Sequence, residues 1–370
     1  MGVVTGRTRR SWLLVAGGVA SLCALPVLIG ARSVHAPGIA AADLRTRILS
    51  STSSYRGYAE SDGTLGLPDL PEFGDVAGLF GGRTRLRIWH ADPAHSRVDV
   101  LTPTGERGFY VNGRRATVWD YERNVVTALY GRPDIRLPRP ADLNPPDLAR
   151  RLLVGARPEE LRPLAGRRVA GVAASGLRVV PADPDSTVGQ IDVWADAATG
   201  VVLQVQVSGR SGPAALTTRF LDVTEGPHAV PDGVVSPPQP AGAQRAATRV
   251  PRVSPLIDRY APAVLPPTLA GRDVSTLVPG GDAIRAYGDG FALFVAISLP
   301  ADLADRAYEA AKAAGGQVRA IGVDSAVLLS TPLLTLSVVA PDGRDGGYVL
   351  AGTVGADVLN RAVTELVARR

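Results

Sequence analysis

Hydrophobic positions follow three regimes along the chain. The first is a continuous apolar run from Trp12 to Ala31, preceded by Arg7, Arg9 and Arg10 and free of charge inside. Twenty residues make about 30 Å of helix, the thickness of a bilayer core. In the second regime the period falls to two. Leu86 and Ile88 alternate with Arg85 and Arg87, and Val98 and Val100 flank Asp99. One apolar and one polar face predict a half-exposed antiparallel sheet. Asn112-Gly113, between Phe109-Tyr110-Val111 and Ala116-Thr117-Val118-Trp119, predicts a hairpin with both turn residues at positive φ. Further strands are expected near 167–172, 176–181, 190–196, 201–208 and 215–223. Helical spacing is confined to two short segments. Leu44, Ile48 and Leu49 share a face within 43–54, and Asn144-Pro145-Pro146-Asp147 opens a helix through Ala156, with Asn144 as its cap and proline in its first turn.

The third regime follows a break. Residues 226–255 hold seven prolines, which predicts a stiff, extended linker. Beyond it, strands at 282–288 and 291–299 flank Gly288-Asp289-Gly290, and an Ala-rich helix (301–314) ends at Gly315-Gly316. Strands near 317–322, 325–330, 333–340 and 347–353 come next. A last helix, Ala356 to Arg369, carries Val358, Leu359, Val363 and Leu366 on one face. The chain therefore divides into a tip and signal-anchor or transmembrane segment (1–36), a strand-rich domain (43–225), a linker (226–259) and a small α+β domain (260–370).

Arginines ahead of the apolar run place the N-terminus in the cytoplasm and the rest outside it. The run exceeds a usual signal-peptide core. Val34-His35-Ala36 has the spacing of a cleavage site, but Pro37 follows it and opposes the cut. The expected location is the cell membrane, single-pass, with the folded domains extracytoplasmic; the alternative is a cleaved signal and a secreted chain. Cys23, the single cysteine, lies inside the run, so no disulfide framework or cysteine-based zinc site can form.

Charge is uneven. Residues 83–168 hold 17 Arg against 10 acidic residues, a surplus of +7, whereas 272–370 carry nine basic and eleven acidic residues, or −2. Outside the cytoplasm a basic surface meets lipid headgroups or an acidic protein rather than nucleic acid; the alternative is a solvated Arg-rich face. Nucleophile elbows, zinc-helix motifs, phosphate loops and dinucleotide fingerprints are all missing from the sequence. His90 and His95 with Asp99 could form a metal site, but Asp92-Pro93 between the histidines is a turn signal. Asp183-Pro184-Asp185 and Asp342-Gly343-Arg344-Asp345 lack the glutamate that closes a calcium loop. The expectation is no enzyme, no metal and no cofactor.

One segment mixes loop punctuation with large apolar side chains. Between Leu65 and Gly82, prolines and glycines forbid a regular strand, yet Leu67, Leu70, Phe73, Leu79 and Phe80 must be sheltered. They are either a core plug or a lid over an apolar ligand pocket. Leu86, Ile88, Val98 and Trp119 are the sheet residues expected to share such a pocket, with plain core as the alternative for each.

At Gln190–Gln204 a strand with Trp194, then Asp196-Ala197-Ala198-Thr199-Gly200, then an apolar return strand resembles the periplasmic lipoprotein-carrier superfamily. It is most similar to the two-domain MucB/RseB-type regulators of envelope-stress sigma factors in their actinobacterial form. Ser53-Ser54-Tyr55-Arg56-Gly57, Arg97-Val98-Asp99 with Asn112-Gly113, and Ala286-Tyr287-Gly288-Asp289-Gly290-Phe291 fit the same pattern. The resemblance implies an α+β protein: an open, strongly curved antiparallel half-barrel packed on helices and enclosing an apolar cavity, plus a small C-terminal α+β domain. It implies a membrane-tethered, non-enzymatic sensor or regulator that binds lipid or acylated protein and an anti-sigma-type membrane partner. The alternative is a lipid or lipoprotein carrier of the cell envelope. The Leu65–Gly82 insertion and the anchor depart from the family, and a tethered chain cannot shuttle between membranes.

Overall fold

The computed structural model describes residues 36–65, 81–131, 133, 138–250, 252, 254–276, 280–322, 324–340 and 346–369. The Trp12–Ala31 run and the segment 66–80 lie outside them. Among the described residues no helix is long and apolar enough to cross a membrane.

Twelve strands form one open sheet: β1 (Tyr55–Gly63), β2 (Arg83–Asp92), β3 (His95–Leu101), β4 (Glu106–Asn112), β5 (Arg115–Asp120), β6 (Val125–Tyr130), β7 (Leu161–Val169), β8 (Val172–Val179), β9 (Val188–Ala195), β10 (Val202–Gly209), β11 (Ala214–Glu225) and β12 (Gln244–Arg249). Their order is β12-β6-β5-β4-β3-β2-β1-β11-β10-β9-β8-β7, so β12 and β7 are free edges. The β12–β6 pair is parallel, while every other neighbouring pair is antiparallel. The proline-rich stretch read as linker thus donates an edge strand to the first domain.

Two helices pack on one face of this sheet. Helix α1 (Ala41–Ser50) buries Leu44 and Ile48, one turn apart, against β7 and β8. Helix α2 (Pro145–Val154) buries Ala149 and Leu153 over β10 and β11. Asn144 precedes α2 as expected, but its side chain does not cap the backbone. Its Nδ2 donates instead to the Tyr55 hydroxyl (2.9 Å) and to Asp147 Oδ2 (3.0 Å).

Two turns show the local chemistry. In the β4–β5 hairpin Asn112 pairs with Arg115, so Gly113 and Arg114 are the corner residues. Only Gly113 has positive φ (60°), which corrects the expected corner by one residue and fits a turn with glycine in its first central position. The β9–β10 turn is formed by Asp196-Ala197-Ala198-Thr199-Gly200. Asp196 Oδ1 accepts from the Ala198 amide (2.6 Å), Gly200 adopts φ 74°, and a bulge follows between Val202 and Gln204. A Cβ on Gly200 would stand 2.6 Å from the Arg47 carbonyl oxygen, so this glycine lets the end of α1 sit directly on the turn.

The second domain begins with α3 (Ser254–Tyr260) and the small β13 (Thr268–Leu269)–β14 (Arg272–Asp273) pair. Its six-stranded sheet contains β15 (Ile284–Asp289), β16 (Ala292–Leu299), β17 (Gln317–Ile321), β18 (Asp324–Ser330), β19 (Thr335–Ala340) and β20 (Gly347–Gly352), in the order β15-β16-β20-β19-β18-β17. Helices α4 (Ala301–Ala313) and α5 (Ala356–Val367) pack on it. Val358, Leu359, Val363 and Leu366 of α5 are all buried. The whole molecule is α+β, an open half-barrel joined to a small strand-rich domain.

The domains are clasped by backbone and charge. The Thr187 amide donates to the Thr353 carbonyl (3.0 Å), and the Gly355 amide to the Asp185 carbonyl (2.8 Å). Arg272 reaches Asp183 Oδ2 (3.0 Å) and Asp185 Oδ2 (2.9 Å), and Arg157 meets Asp289 (2.6 Å). Asp183-Pro184-Asp185 is thus an inter-domain anchor; Asp342–Asp345 lies outside the described residues. Burial pushes the Asp183 carboxyl up, but the Arg272 hydrogen bond and charge outweigh it, and the group sits below its usual range. A depressed carboxyl contributes stability above its unfolded range that is lost as pH falls through the folded one. Arg272→Ala is expected to enlarge the radius of gyration in X-ray scattering, and acidification of the wild type is expected to act in the same direction. An unchanged scattering curve would show that backbone contacts alone hold the clasp.

Candidate ligand trough on the half-barrel

Pairing across β1 to β6 assembles one face row by row. Gly57 is opposite Ile88, Ile88 opposite Val98, Val98 opposite Phe109, Phe109 opposite Val118, and Val118 opposite Thr127. The neighbouring row runs Ser96, Val111, Ala116 and Leu129. Directly paired residues share a face, so these side chains line one surface.

That surface changes character along the sheet. Leu86, Ile88 and Val98 are at most 5 % exposed and belong to the main core with Leu44, Ile48 and Leu153. The 3-10 turn Pro140–Leu143 reaches β3. On β4–β6, Phe109, Ala116, Val118 and Leu129 are half-buried, and Val111 is 37 % exposed. The helices fill one half of the face, and the other continues as a shallow apolar trough.

The structure therefore brings Leu86, Ile88 and Val98 together, as core flanking the trough. Trp119 is not with them. It pairs with Gly108, which pairs with Asp99, which pairs with Arg87, and this places it on the opposite face. Leu67, Leu70, Phe73, Leu79 and Phe80 lie outside the described residues. Sequence reasoning missed Phe109 and Val118. Counting outward from the hairpin would have found them, since period-two alternation carries Val118 rather than Trp119 onto the face of Val98.

At the end of the trough, Tyr55 and His90 stack at 4.8 Å with an interplanar angle of 18°. Burial raises the Tyr55 phenol well above its ordinary range, helped by the Asp147 charge. Burial likewise lowers the His90 imidazole, against a smaller opposing pull from Asp147. His95 Nδ1 pairs with Asp92 (2.8 Å) across the expected turn. Asp99 lies on the other face, so His90, His95 and Asp99 do not converge. Among the described residues no group of three His, Cys, Asp or Glu side chains could hold a metal ion.

The outer face is a charge lattice. Arg83 meets Asp62 (2.8 Å), Arg85 meets Glu60 (3.3 Å) and Arg87 meets Glu106 (3.7 Å). At its centre Asp99 is fully buried, gripped by Arg97 Nε (2.8 Å) and Nη2 (2.5 Å). The Arg97 guanidinium carbon lies 4.8 Å from the Trp89 ring centroid and 5.0 Å from that of Tyr110. Burial raises the Asp99 carboxyl more than the Arg97 hydrogen bond and charge lower it.

The described residues form an open, almost wholly antiparallel half-barrel with two helices packed on one face. No protein-family model matches the chain, and no curated protein matches its sequence. Among solved structures it is similar to MucB in the Pseudomonas aeruginosa MucA/MucB complex, at 17% identity and a TM-score of 0.49 over 87% of this chain and 96% of that one. It is also similar to LprF from Mycobacterium bovis (10% identity, TM-score 0.30, 54% of this chain and 95% of that one). A LolA superfamily protein from Nitrosomonas europaea is similar at 11% identity and a TM-score of 0.23, over 54% of this chain and 98% of that one.

Proposed function

We propose that this chain is a non-enzymatic binding protein at the outer face of the cytoplasmic membrane, tethered by its N-terminal apolar run. It senses a lipid or acylated protein through the first domain and engages an anti-sigma-type membrane partner. The observation that carries the reading is the apolar trough of Phe109, Val118 and Leu129, left half-exposed beside a filled core. Apolar surface of this kind, continuous with a core and rimmed by polar strands, is where an acyl chain gains burial. The partner class comes from the sequence resemblance to the MucB/RseB type. Occupancy of the trough would bias the arrangement of two domains joined by charge and a few backbone bonds.

The test is native mass spectrometry of the full chain in detergent, with and without organic extraction, beside the variant Phe109→Asp/Val118→Asp. A stoichiometric extractable mass present in the wild type and lost in the folded variant is expected. Equal loading of both would place any lipid on the N-terminal run and sink the trough. Cross-linking in the native membrane decides the partner: a membrane protein captured in stoichiometric amount supports the regulator, and lipid loading with no such neighbour supports the envelope carrier.

A further inference from the structure

The arginine surplus of the first domain is spent unevenly. Arg83, Arg85, Arg87, Arg97 and Arg178 each meet a carboxylate. Arg114, Arg115, Arg245 and Arg249 are exposed and make no ion pair or side-chain hydrogen bond among the described residues. All four belong to one region of the sheet. Arg114 and Arg115 form the end of the β4–β5 hairpin, and Arg245 and Arg249 lie on β12, paired with Val126 and Tyr130 of β6. By alternation Arg115, Thr117, Tyr130 and Arg249 share the face opposite the trough.

A cavity of about 480 Å³ opens at this corner. Its walls are Asn112, Arg114, Arg115, Thr117, Tyr130 and Pro237, with Ala116, Ala128 and Leu129 between them, and no carboxylate among the described residues lines it. Arg249 stands at its side, its Cγ 4.0 Å from where a Cβ on Gly131 would be. Tyr130 is 50 % exposed.

We infer that this corner is an anion site for the phosphodiester headgroup of an anionic phospholipid. Guanidinium groups without a carboxylate partner are free to make forked hydrogen bonds to phosphate oxygens. The amide of Asn112 and the hydroxyls of Thr117 and Tyr130 supply neutral donors beside them. Tyr130, Leu129 and Pro237 put apolar surface next to the charge, the composition of groups that sit at a lipid–water boundary. The inference brings Arg114 and Arg115 of the arginine-rich 83–168 segment together with Arg245 and Arg249 of β12. It rests on the extracytoplasmic reading only in choosing a lipid phosphate; Ala116 and Leu129 border both this cavity and the trough, whereas none of the four arginines belongs to the trough rows.

The test titrates the full chain in nonionic detergent with glycerophosphoglycerol, glycerophosphocholine and inorganic phosphate, reading the heat of binding. Saturable binding of glycerophosphoglycerol is expected, weakened about tenfold or more in Arg114→Gln/Arg115→Gln/Arg249→Gln. Arg56→Gln should leave it unchanged, since Arg56 is equally exposed, has no ion-pair partner among the described residues and lies four strands from β5. All four groups are exposed, so the variants should melt with the wild type. Inorganic phosphate bound as tightly as the diester would overturn the lipid assignment. Equal affinity for glycerophosphocholine, an equal loss in Arg56→Gln, or no saturable heat would overturn the site. None of these outcomes bears on acyl-chain loading of the trough, so the two readings fail separately.

Discussion

Arg97→Ala is expected to destabilise the first domain by about 3–5 kcal/mol at neutral pH, the cost of removing one partner of a buried pair. Asp99 is fully buried and has Arg97 as its two-point partner. Its neighbours offer no substitute: Glu106 repels it, and Arg87 exerts only a smaller pull. Without Arg97 the carboxylate must be protonated or carry its charge in a dry site. The pH dependence gives the mechanism a signature. A carboxyl whose folded range lies above its unfolded one contributes stability below the unfolded range and loses it as pH rises through the folded one. Removing the arginine extends that window upward. The variant should approach the wild-type melting temperature as pH is lowered through the carboxylate range. A deficit that stays constant with pH would assign the loss to the guanidinium's packing against Trp89 and Tyr110 instead. Arg97→Met/Asp99→Leu, which removes both charges, should recover most of the stability at neutral pH.

That cluster also marks how far the sequence could be read. Arg97-Val98-Asp99 announces a strand with Val98 inward, and the structure places it so. It does not announce that an outward-facing aspartate is buried. That burial comes from Trp89 and Tyr110 on the flanking strands β2 and β4 and from Gly108, where a Cβ would stand 2.8 Å from the Tyr110 ring. These are cross-strand effects, set by register rather than by local pattern. In the second domain β16 was legible because it alternates strictly. Buried and half-exposed residues of β16 follow one another without a break, and Gly288 and Gly290 supply the positive φ its first hairpin needs. Strand β12 was not legible, since every residue in it is exposed and nothing in Gln244–Arg249 encodes an inward face. Its pairing is purely backbone. Trp119 was expected to share the pocket of Leu86, Ile88 and Val98, but alternation along β5 sends it to the other face.

Leu153→Ala is expected to cost about 2–5 kcal/mol, the range for deleting a buried leucine whose site cannot collapse. Leu153 is fully buried in the core that joins α2 to the sheet, with Leu44, Ile48, Ile88 and Val205 in the same cluster. Strands on one side and α1 on the other fix the walls, so relaxation into the void is limited. The adjoining Val154 is 67 % exposed and supplies an internal control. Val154→Ala exchanges an exposed β-branched residue for a better helix former, and should change stability by no more than about 0.5 kcal/mol. In chemical denaturation the Leu153 variant should lower the midpoint of the first-domain transition without changing its slope. Comparable small effects at both positions would mean that α2 is held by polar contacts, chiefly Asn144 with Tyr55 and the Arg45 Nε bond to the Leu153 carbonyl (3.0 Å). The larger expected loss at Leu153 follows from the division of the face. Where α2 covers the sheet, apolar packing fixes one conformation, and the trough begins where that cover ends.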